Sequence, residues 1–202
     1  MHQSTHMQDT IRHIKESLKG LYPPEEIGSF IRLIFEKVCR YSTVDFILCK
    51  NKTLSPTQHQ QIIAIVKRLQ KYEPIQYILG TADFYSLQFE VNPSVLIPRP
   101  ETEELVEQVI IDNEGKKIKI LDIGTGSGCI AVTLRKHLKQ ASIIATDISA
   151  EALDTARRNA KRNNATITFI QTDILNPEKA EMDIPFILDV IVSNPPYIKE
   201  EE

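Results

Sequence analysis

The stretch ILDIGTGSG at residues 120–128 decides the fold, because an apolar strand runs directly into a glycine-rich turn. Apolar residues from Ile118 to Leu121 predict a short buried strand, and Ile130 to Leu138 have the spacing of a helix. The glycines between them let the backbone turn sharply and let a ligand approach the main chain closely. This stretch therefore predicts a strand–loop–helix unit that binds a ligand, with a plain strand-to-helix turn as the alternative.

The residues after this loop continue as alternating strands and helices. Strands are predicted at Ser142 to Thr146, Thr166 to Ile170 and Val190 to Ser193, and a helix at Ala150 to Asn163. Strands that alternate with helices indicate a parallel sheet with right-handed crossovers. We therefore predict an α/β fold built on a Rossmann-like sheet.

The front of the chain has helical periodicity instead. Apolar residues recur at helical spacing up to about residue 73, and Ser55 with Gln58 forms the pattern of a capping box. Alternating and aromatic residues then predict a pair of strands, one at Tyr77 to Gly80 and one at Phe84 to Val91. We therefore divide the chain into a helical bundle at 1–73, a linker with a β-hairpin at 74–97 and the α/β domain at 98–202.

The composition argues against several classes of protein. The 202 residues carry a formal net charge of -3 with a pI near 6.0, which disfavours a broadly basic nucleic-acid-binding surface. No apolar run approaches the roughly 20 residues of a membrane helix, and the N-terminus lacks the apolar core of a signal peptide. Cys39, Cys49 and Cys129 form no metal-type or redox-type pair. We therefore expect buried or partly buried thiols, no metal site and a soluble cytoplasmic protein.

Two acidic residues follow later strands of the predicted sheet. Asp147 ends the second strand, about 20 residues past the loop, where an acidic side chain accepts hydrogen bonds from ribose hydroxyls. A cap on the following helix is the alternative role for Asp147. Asp173 follows the third strand and is expected, by analogy, to reach an adenine amino group. The loop itself fits a nicotinamide cofactor, a flavin or S-adenosylmethionine, but it is not a phosphate-binding P-loop, because no Gly-Lys-Ser/Thr follows.

The motif Asn194-Pro195-Pro196-Tyr197 follows the fourth strand, at the edge of the sheet where ligands of open parallel sheets bind. An amide nitrogen is a poor nucleophile because its lone pair is delocalised into the carbonyl group. The Asn194 side-chain oxygen and the Pro195 carbonyl are suited to accept both N–H bonds and hold the nitrogen in line with a methyl group. Prolines stiffen the loop, and Tyr197 offers a flat face to a planar amide or base.

This motif, together with the glycine loop and Asp147, therefore indicates methyl transfer from S-adenosylmethionine to a planar nitrogen. A proline-rich turn that merely ends a strand is the alternative. No general base is evident within the motif.

The chain resembles the PrmC/HemK family of bacterial peptide-chain release-factor glutamine methyltransferases over nearly its whole length. The resemblance rests on LIPRPETE at 96–103, the loop at 122–128, Asp147 and the motif at 194–197. The motif at 194–197 is shared with adenine-N6 methyltransferases, so it indicates the chemistry and not the substrate. Within LIPRPETE, the part PRPETE at 98–103 is the more discriminating segment.

The resemblance implies that the substrate is the glutamine of the Gly-Gly-Gln loop in class I release factors, and that the helical domain docks the release factor. The residues expected to bind S-adenosylmethionine are Gly124, Thr125, Gly126, Ser127, Gly128, Asp147, Asp173 and Asn194. The residues expected to hold the glutamine are Asn194, Pro195, Pro196 and Tyr197, with Asn194, Pro195 and Tyr197 as catalytic. Arg99 and Thr102 either border the site or serve only as a helix start.

Two other functions stay open at this point, namely an adenine-N6 nucleic-acid methyltransferase and a non-catalytic fragment that binds only cofactor or release factor. The acidic pI weighs against the first. We expect a chain truncated after the fourth strand, because Val190 to Ser193 would otherwise form an unprotected apolar edge. We also expect no membrane association, no direct nucleic-acid substrate and, at full length, a monomer.

Overall fold

The structure, a computed structural model, describes residues 5–48, 52–176, 178, 184 and 187–195. Contacts within the chain divide it into two units, Met1–Leu79 and Gly80–Glu202. Each unit buries its own apolar cluster. No helix of the described residues is long and apolar enough to cross a bilayer.

The first unit is a helical bundle, as predicted. Its core is formed by fully buried apolar side chains, among them Met7, Ile14, Phe35, Ile62 and Leu69. Two short strands that the sequence did not indicate, β1 (Thr5–His6) and β2 (Thr53–Leu54), pair antiparallel at one end. The helices are α1 (Met7–Leu18), α2 (Pro24–Cys39), α3 (Thr43–Leu48), α4 (Pro56–Leu69) and α5 (Ile75–Leu79).

The predicted capping box begins α4. The Gln58 backbone N–H donates to Ser55 Oγ at 3.2 Å, and the Ser55 backbone N–H donates to Gln58 Oε1 at 3.0 Å. These two bonds satisfy donors that a helix N-terminus otherwise leaves without partners. The start of α4 is therefore defined by local sequence.

The β-hairpin exists, but the prediction of its first strand was wrong. Residues 77–79 lie in α5, because the Ile78 N–H donates to Pro74 O at 3.1 Å and Ile75 is buried in the helical core. The hairpin strands are β3 (Thr81–Phe84) and β4 (Leu87–Glu90), joined by Tyr85 and Ser86 with φ of 47° and 61°. Both turn residues are left-handed, as a two-residue hairpin turn of the favoured twist requires. Burial of Ile75 overrode the strand-like composition of residues 77–79.

The second unit confirms the predicted α/β fold. Four parallel strands of the described residues lie in the order β7-β6-β5-β8. The chain moves outward from β5 through β6 to β7 and then returns to the other side of β5. The elements are α6 (Glu101–Asn113), β5 (Lys119–Ile123), α7 (Cys129–His137), β6 (Ser142–Asp147), α8 (Ala150–Arg162), β7 (Thr168–Gln171) and β8 (Val190–Ser193).

This topology reverses the strand order between β5 and β8. Ligands of open α/β sheets bind at such a switch point, beyond the carboxyl ends of the strands.

The hairpin belongs to the second unit, because Phe84 and Phe89 are buried in the core of that unit with ring centroids 6.1 Å apart. Of the cysteines, Cys129 is buried here and Cys39 is half-buried in the first unit, whereas Cys49 lies outside the described residues.

Candidate active site

A cavity of about 470 Å³ lies at the carboxyl ends of the parallel strands. Its volume falls within the range of about 300–1,000 Å³ typical of small-molecule sites. Each strand of the sheet contributes the residues that follow it. The lining includes Gly124 and Gly126 after β5, Asp147 and Ile148 at and after β6, Thr172 to Leu175 after β7, Asn194 and Pro195 after β8, and Ser94 to Leu96 after the hairpin.

The glycine loop takes its shape from left-handed backbone. Gly126 has a φ of 54° and Gly128 a φ of 79°, conformations that side chains rarely adopt. A Cβ atom on Gly128 would also lie 3.0 Å from the Cβ atom of Ala156, so α8 can pack this closely only against glycine. The loop is therefore held between the sheet and α8.

The five loop residues predicted to bind a cofactor fall into two groups. Gly124 and Gly126 line the cavity. Thr125 and Ser127 are buried, and together with Gly128 they lie outside the residues that line it. For all five residues, cofactor binding stays a prediction.

Asp122, which sequence reasoning did not single out, is fully buried beneath the loop. Its Oδ2 atom accepts a hydrogen bond from Thr125 Oγ1 at 2.7 Å, while Oδ1 has no hydrogen-bond partner of ordinary geometry among the described residues. Burial raises the pKa of Asp122 to about 7, against the opposing effect of the Thr125 hydrogen bond. An acidic residue inside an otherwise apolar strand was the signal that could have identified it.

Asp147 lies at the cavity wall and holds the glycine loop. Its Oδ2 atom accepts from the Gly126 N–H at 2.9 Å, and Oδ1 accepts from the Ser149 N–H at 3.0 Å. The alternative prediction of a helix cap was wrong, because Ser149 caps α8 by accepting from the Ala152 N–H at 3.2 Å. A carboxylate offers about four lone-pair positions, so Asp147 retains acceptor capacity for hydroxyl groups. Its role toward a ribose stays a prediction.

Asp173 lines the same cavity. Its Oδ1 atom accepts from the Leu175 N–H at 3.0 Å, which fixes the turn after β7. Ile174 and Leu175 expose apolar side chains there, and the buried Thr172 hydroxyl has no partner among the described residues. A single threonine after a strand carries no sequence signal, so Thr172 was missed. The predicted contact of Asp173 with adenine stays a prediction.

Asn194 meets a residue from a distant part of the chain. Its Nδ2 atom donates to Thr102 Oγ1 at 2.8 Å, although 92 positions separate the two residues. Pro195 lines the cavity beside it, whereas Arg99 is exposed and lies outside the lining. Pro196 and Tyr197 lie outside the described residues, and their roles stay predictions.

The described residues contain no group of three or more histidine, cysteine or acidic side chains that could hold a metal ion. The walls of the cavity combine apolar side chains with the carboxylates of Asp147 and Asp173. Such a lining suits an organic ligand that carries hydroxyl or amino groups.

Two family profiles together match most of the chain. Residues 101–202 match the family described as "Methyltransferase small domain", and residues 9–80 match the "PrmC N-terminal domain". The release factor glutamine methyltransferase of Flavobacterium psychrophilum is 44% identical over 93% of this chain and 66% of the relative. The enzyme of the same name from Bacteroides thetaiotaomicron is 43% identical over 94% of this chain and 67% of the relative. The chain thus spans about two thirds of the length of these relatives.

Several solved structures align with part of the chain. A ribosomal protein L11 methylase from Lactobacillus delbrueckii subsp. bulgaricus is 31% identical, with a TM-score of 0.42 over 52% of this chain and 51% of that chain. A tRNA (uracil-54, C5)-methyltransferase of Pyrococcus abyssi is 24% identical, with a TM-score of 0.44 over 57% of this chain and 28% of that chain.

Proposed function

Because the chain belongs to the family of release factor glutamine methyltransferases, we propose that it methylates the side-chain amide nitrogen of a glutamine in class I peptide chain release factors. The target is the glutamine of the Gly-Gly-Gln motif, and the methyl donor is S-adenosylmethionine. One observation carries the proposal. Asn194 and Pro195, which suit an amide acceptor, line the same cavity as Gly126 and Asp147, which suit the cofactor.

The residues present fit S-adenosylmethionine. Asp147 has lone pairs left for ribose hydroxyls, Asp173 suits an adenine amino group, and the exposed apolar side chains of Leu96, Ile148 and Ile174 offer walls for a planar base. Gly124 and Gly126 allow the ligand to approach the main chain. When bound, this cofactor supplies an electrophilic methyl group.

The protein's contribution to the chemistry is the position of the glutamine amide. Asn194 Oδ1 and the Pro195 carbonyl accept the two amide N–H bonds, so that the nitrogen is held at a fixed place within a partly apolar cavity. Fixed acceptors of this kind lower the entropic cost of alignment and need no reorganisation during the reaction. Pro196 and Tyr197 complete the proposed glutamine site.

The remaining features of the proposal concern the whole protein. The helical region 1–73 docks the release factor, the segment 74–97 connects it to the methyltransferase domain at 98–202, and the protein acts in the cytoplasm as a monomer. Nucleic acid is not its substrate, in keeping with the pI near 6.0.

The test offers labelled S-adenosylmethionine together with a release factor, its glutamine-to-alanine variant at the Gly-Gly-Gln motif, or adenine-containing oligonucleotides. We expect label on the unmodified release factor alone. Label on an oligonucleotide, or label that persists on the alanine variant, contradicts the proposal. Bound cofactor without any transfer contradicts it as well and indicates a binding function.

A further inference from the structure

One side chain of the segment LIPRPETE at 96–103, that of Thr102, contacts a residue of the proposed site. Thr102 is the second residue of α6, is only 6% exposed, and accepts the hydrogen bond from Asn194 Nδ2 at 2.8 Å. Asn194 lies directly after β8 on the opposite side of this contact. The contact therefore joins the start of a helix to the residue proposed to hold the substrate amide.

An asparagine side chain presents an acceptor on one side and two donors on the other. Rotation of the carboxamide by half a turn exchanges them and would aim Nδ2 at the substrate's own N–H bonds. The acceptor role proposed for Asn194 therefore requires that Nδ2 points away from the substrate and finds a partner there. Thr102 Oγ1 is that partner.

Thr102 is itself held in place by its surroundings. Its backbone N–H donates to Arg99 O at 3.0 Å, and the next residue, Glu103, accepts from the Tyr85 N–H of the hairpin turn at 2.7 Å. One turn further along α6, Val106 is fully buried on the same helix face. The hydroxyl that faces Asn194 thus sits on a helix anchored to the hairpin and to the core.

We propose that Thr102 is a positioning residue for the acceptor glutamine. Its hydroxyl holds the Asn194 carboxamide with Oδ1 toward the cavity, so that Oδ1 accepts from the substrate amide. This inference rests on the proposed function, since only an amide or amino acceptor needs Oδ1 in that orientation. LIPRPETE would then contribute a positioning residue to the site, in addition to containing the start of α6.

The test compares three variants of the protein expressed from its complete reading frame. Thr102→Val keeps the shape and removes the hydroxyl, and Thr102→Ser keeps the hydroxyl. Thr133→Val is the matched control, because Thr133 is a buried threonine of the same unit whose hydroxyl has no partner among the described residues. Each variant is assayed for the hydrogen exchange of the Asn194 side-chain NH₂ by NMR, for S-adenosylmethionine affinity, and for kcat and KM toward release factor.

We expect Thr102→Val to speed exchange of the Asn194 NH₂ protons and to lower kcat roughly tenfold to a hundredfold, as a misplaced reacting group does. Cofactor affinity should stay at the wild-type value. Thr102→Ser should recover slow exchange and most of kcat, and Thr133→Val should change none of these quantities.

Several outcomes would overturn the inference. Unchanged exchange and kcat in Thr102→Val would show that Asn194 keeps its orientation without the hydroxyl. Equal losses in Thr102→Val and Thr102→Ser would assign Thr102 a structural role only. If the wild type fails to methylate glutamine but exchange responds to Thr102→Val, the proposed function fails while the contact that orients Asn194 stands.

Discussion

The two units of the molecule differ in what they bury. Among the described residues, Thr10 is the single polar side chain buried in the first unit, whereas the second unit buries a larger set. That set is Thr102, Asp122, Thr125, Ser127, Thr133, Thr146, Thr155, Asn159 and Thr172. Burial of a polar group lowers stability unless a partner compensates, so such groups persist where they shape a site.

Thr146 and Thr172 line the cavity, and Thr102 hydrogen-bonds to Asn194 in its wall. Other buried polar groups of this unit join backbone segments. Asn159 illustrates the point, because it joins the hairpin to the glycine loop. Its Oδ1 atom accepts from the Glu90 N–H at 2.6 Å, and its Nδ2 atom donates to Glu90 O and to Ser127 O, each at 2.9 Å. The buried side chains of the first unit are thus almost all apolar, whereas buried polar groups of the second unit also hold backbone segments in place.

The largest expected effect concerns Asn194. Asn194→Ala removes the proposed amide acceptor, and we expect transfer to release factor to fall roughly a hundredfold to a thousandfold, as when a single transition-state hydrogen bond is lost. Calorimetry should find a much smaller change in S-adenosylmethionine affinity, because the other residues expected to bind the cofactor are unchanged. Normal turnover in this variant would remove Asn194 from the mechanism.

The next prediction tests whether buried polar groups of the two units contribute differently to the free energy of unfolding. Asn159→Leu keeps a similar volume but leaves the Glu90 and Ser127 backbone groups without partners, so the free energy of unfolding should fall by about 3–5 kcal/mol. Thr10→Val in the first unit should lower the free energy of unfolding by less than about 1 kcal/mol, because the contacts of the Thr10 hydroxyl with His6 O and His59 Nδ1 are both long at 3.4 Å.

Urea unfolding followed by circular dichroism measures both changes. Lys161→Ala, at an exposed position of α8, is the control for a substitution within that helix. Equal decreases in the free energy of unfolding for Asn159→Leu and Thr10→Val would contradict the difference proposed between the two units.

A third prediction concerns pH. The pKa of Asp122 is raised from 3.8 to about 7 in the folded state, so between these values the folded protein binds a proton that the unfolded chain has released. Its contribution to the free energy of unfolding therefore declines as pH rises from about 4 to 7 and is level above that range.

Asp122→Asn should remove this part of the pH dependence, as measured by urea unfolding at a series of pH values. The matched control is Asp83→Asn, an exposed aspartate on β3, which should leave the slope unchanged. A slope that survives in Asp122→Asn would assign the decline to another group.

The smallest effect is expected for Thr133→Val. Thr133 is buried in α7 and its hydroxyl has no partner among the described residues, so the apolar replacement of equal shape should leave stability unchanged or raise it by up to about 1 kcal/mol. A clear decrease in stability, measured by thermal unfolding, would indicate that this hydroxyl does have a partner and that it stabilises the second unit.

The sequence by itself determined the elements whose signals are local. The glycine loop, the alternation of strands and helices, and the Ser55–Gln58 capping box depend on a few neighbouring residues, and all three were predicted. Residues 77–79 were mistaken for a strand because their composition favours one, whereas burial of Ile75 decides for a helix. A local pattern fails where a packing partner lies elsewhere in the chain.

Only the tertiary structure decided how the site is held together. The contact between Thr102 and Asn194 spans 92 positions, and Asn159 joins segments 69 and 32 positions away. The raised pKa of Asp122 follows from burial, which the identity of the residue does not reveal. Hydrogen-bond geometry and desolvation depend on which distant groups meet in space, and local sequence patterns carry no record of those distances.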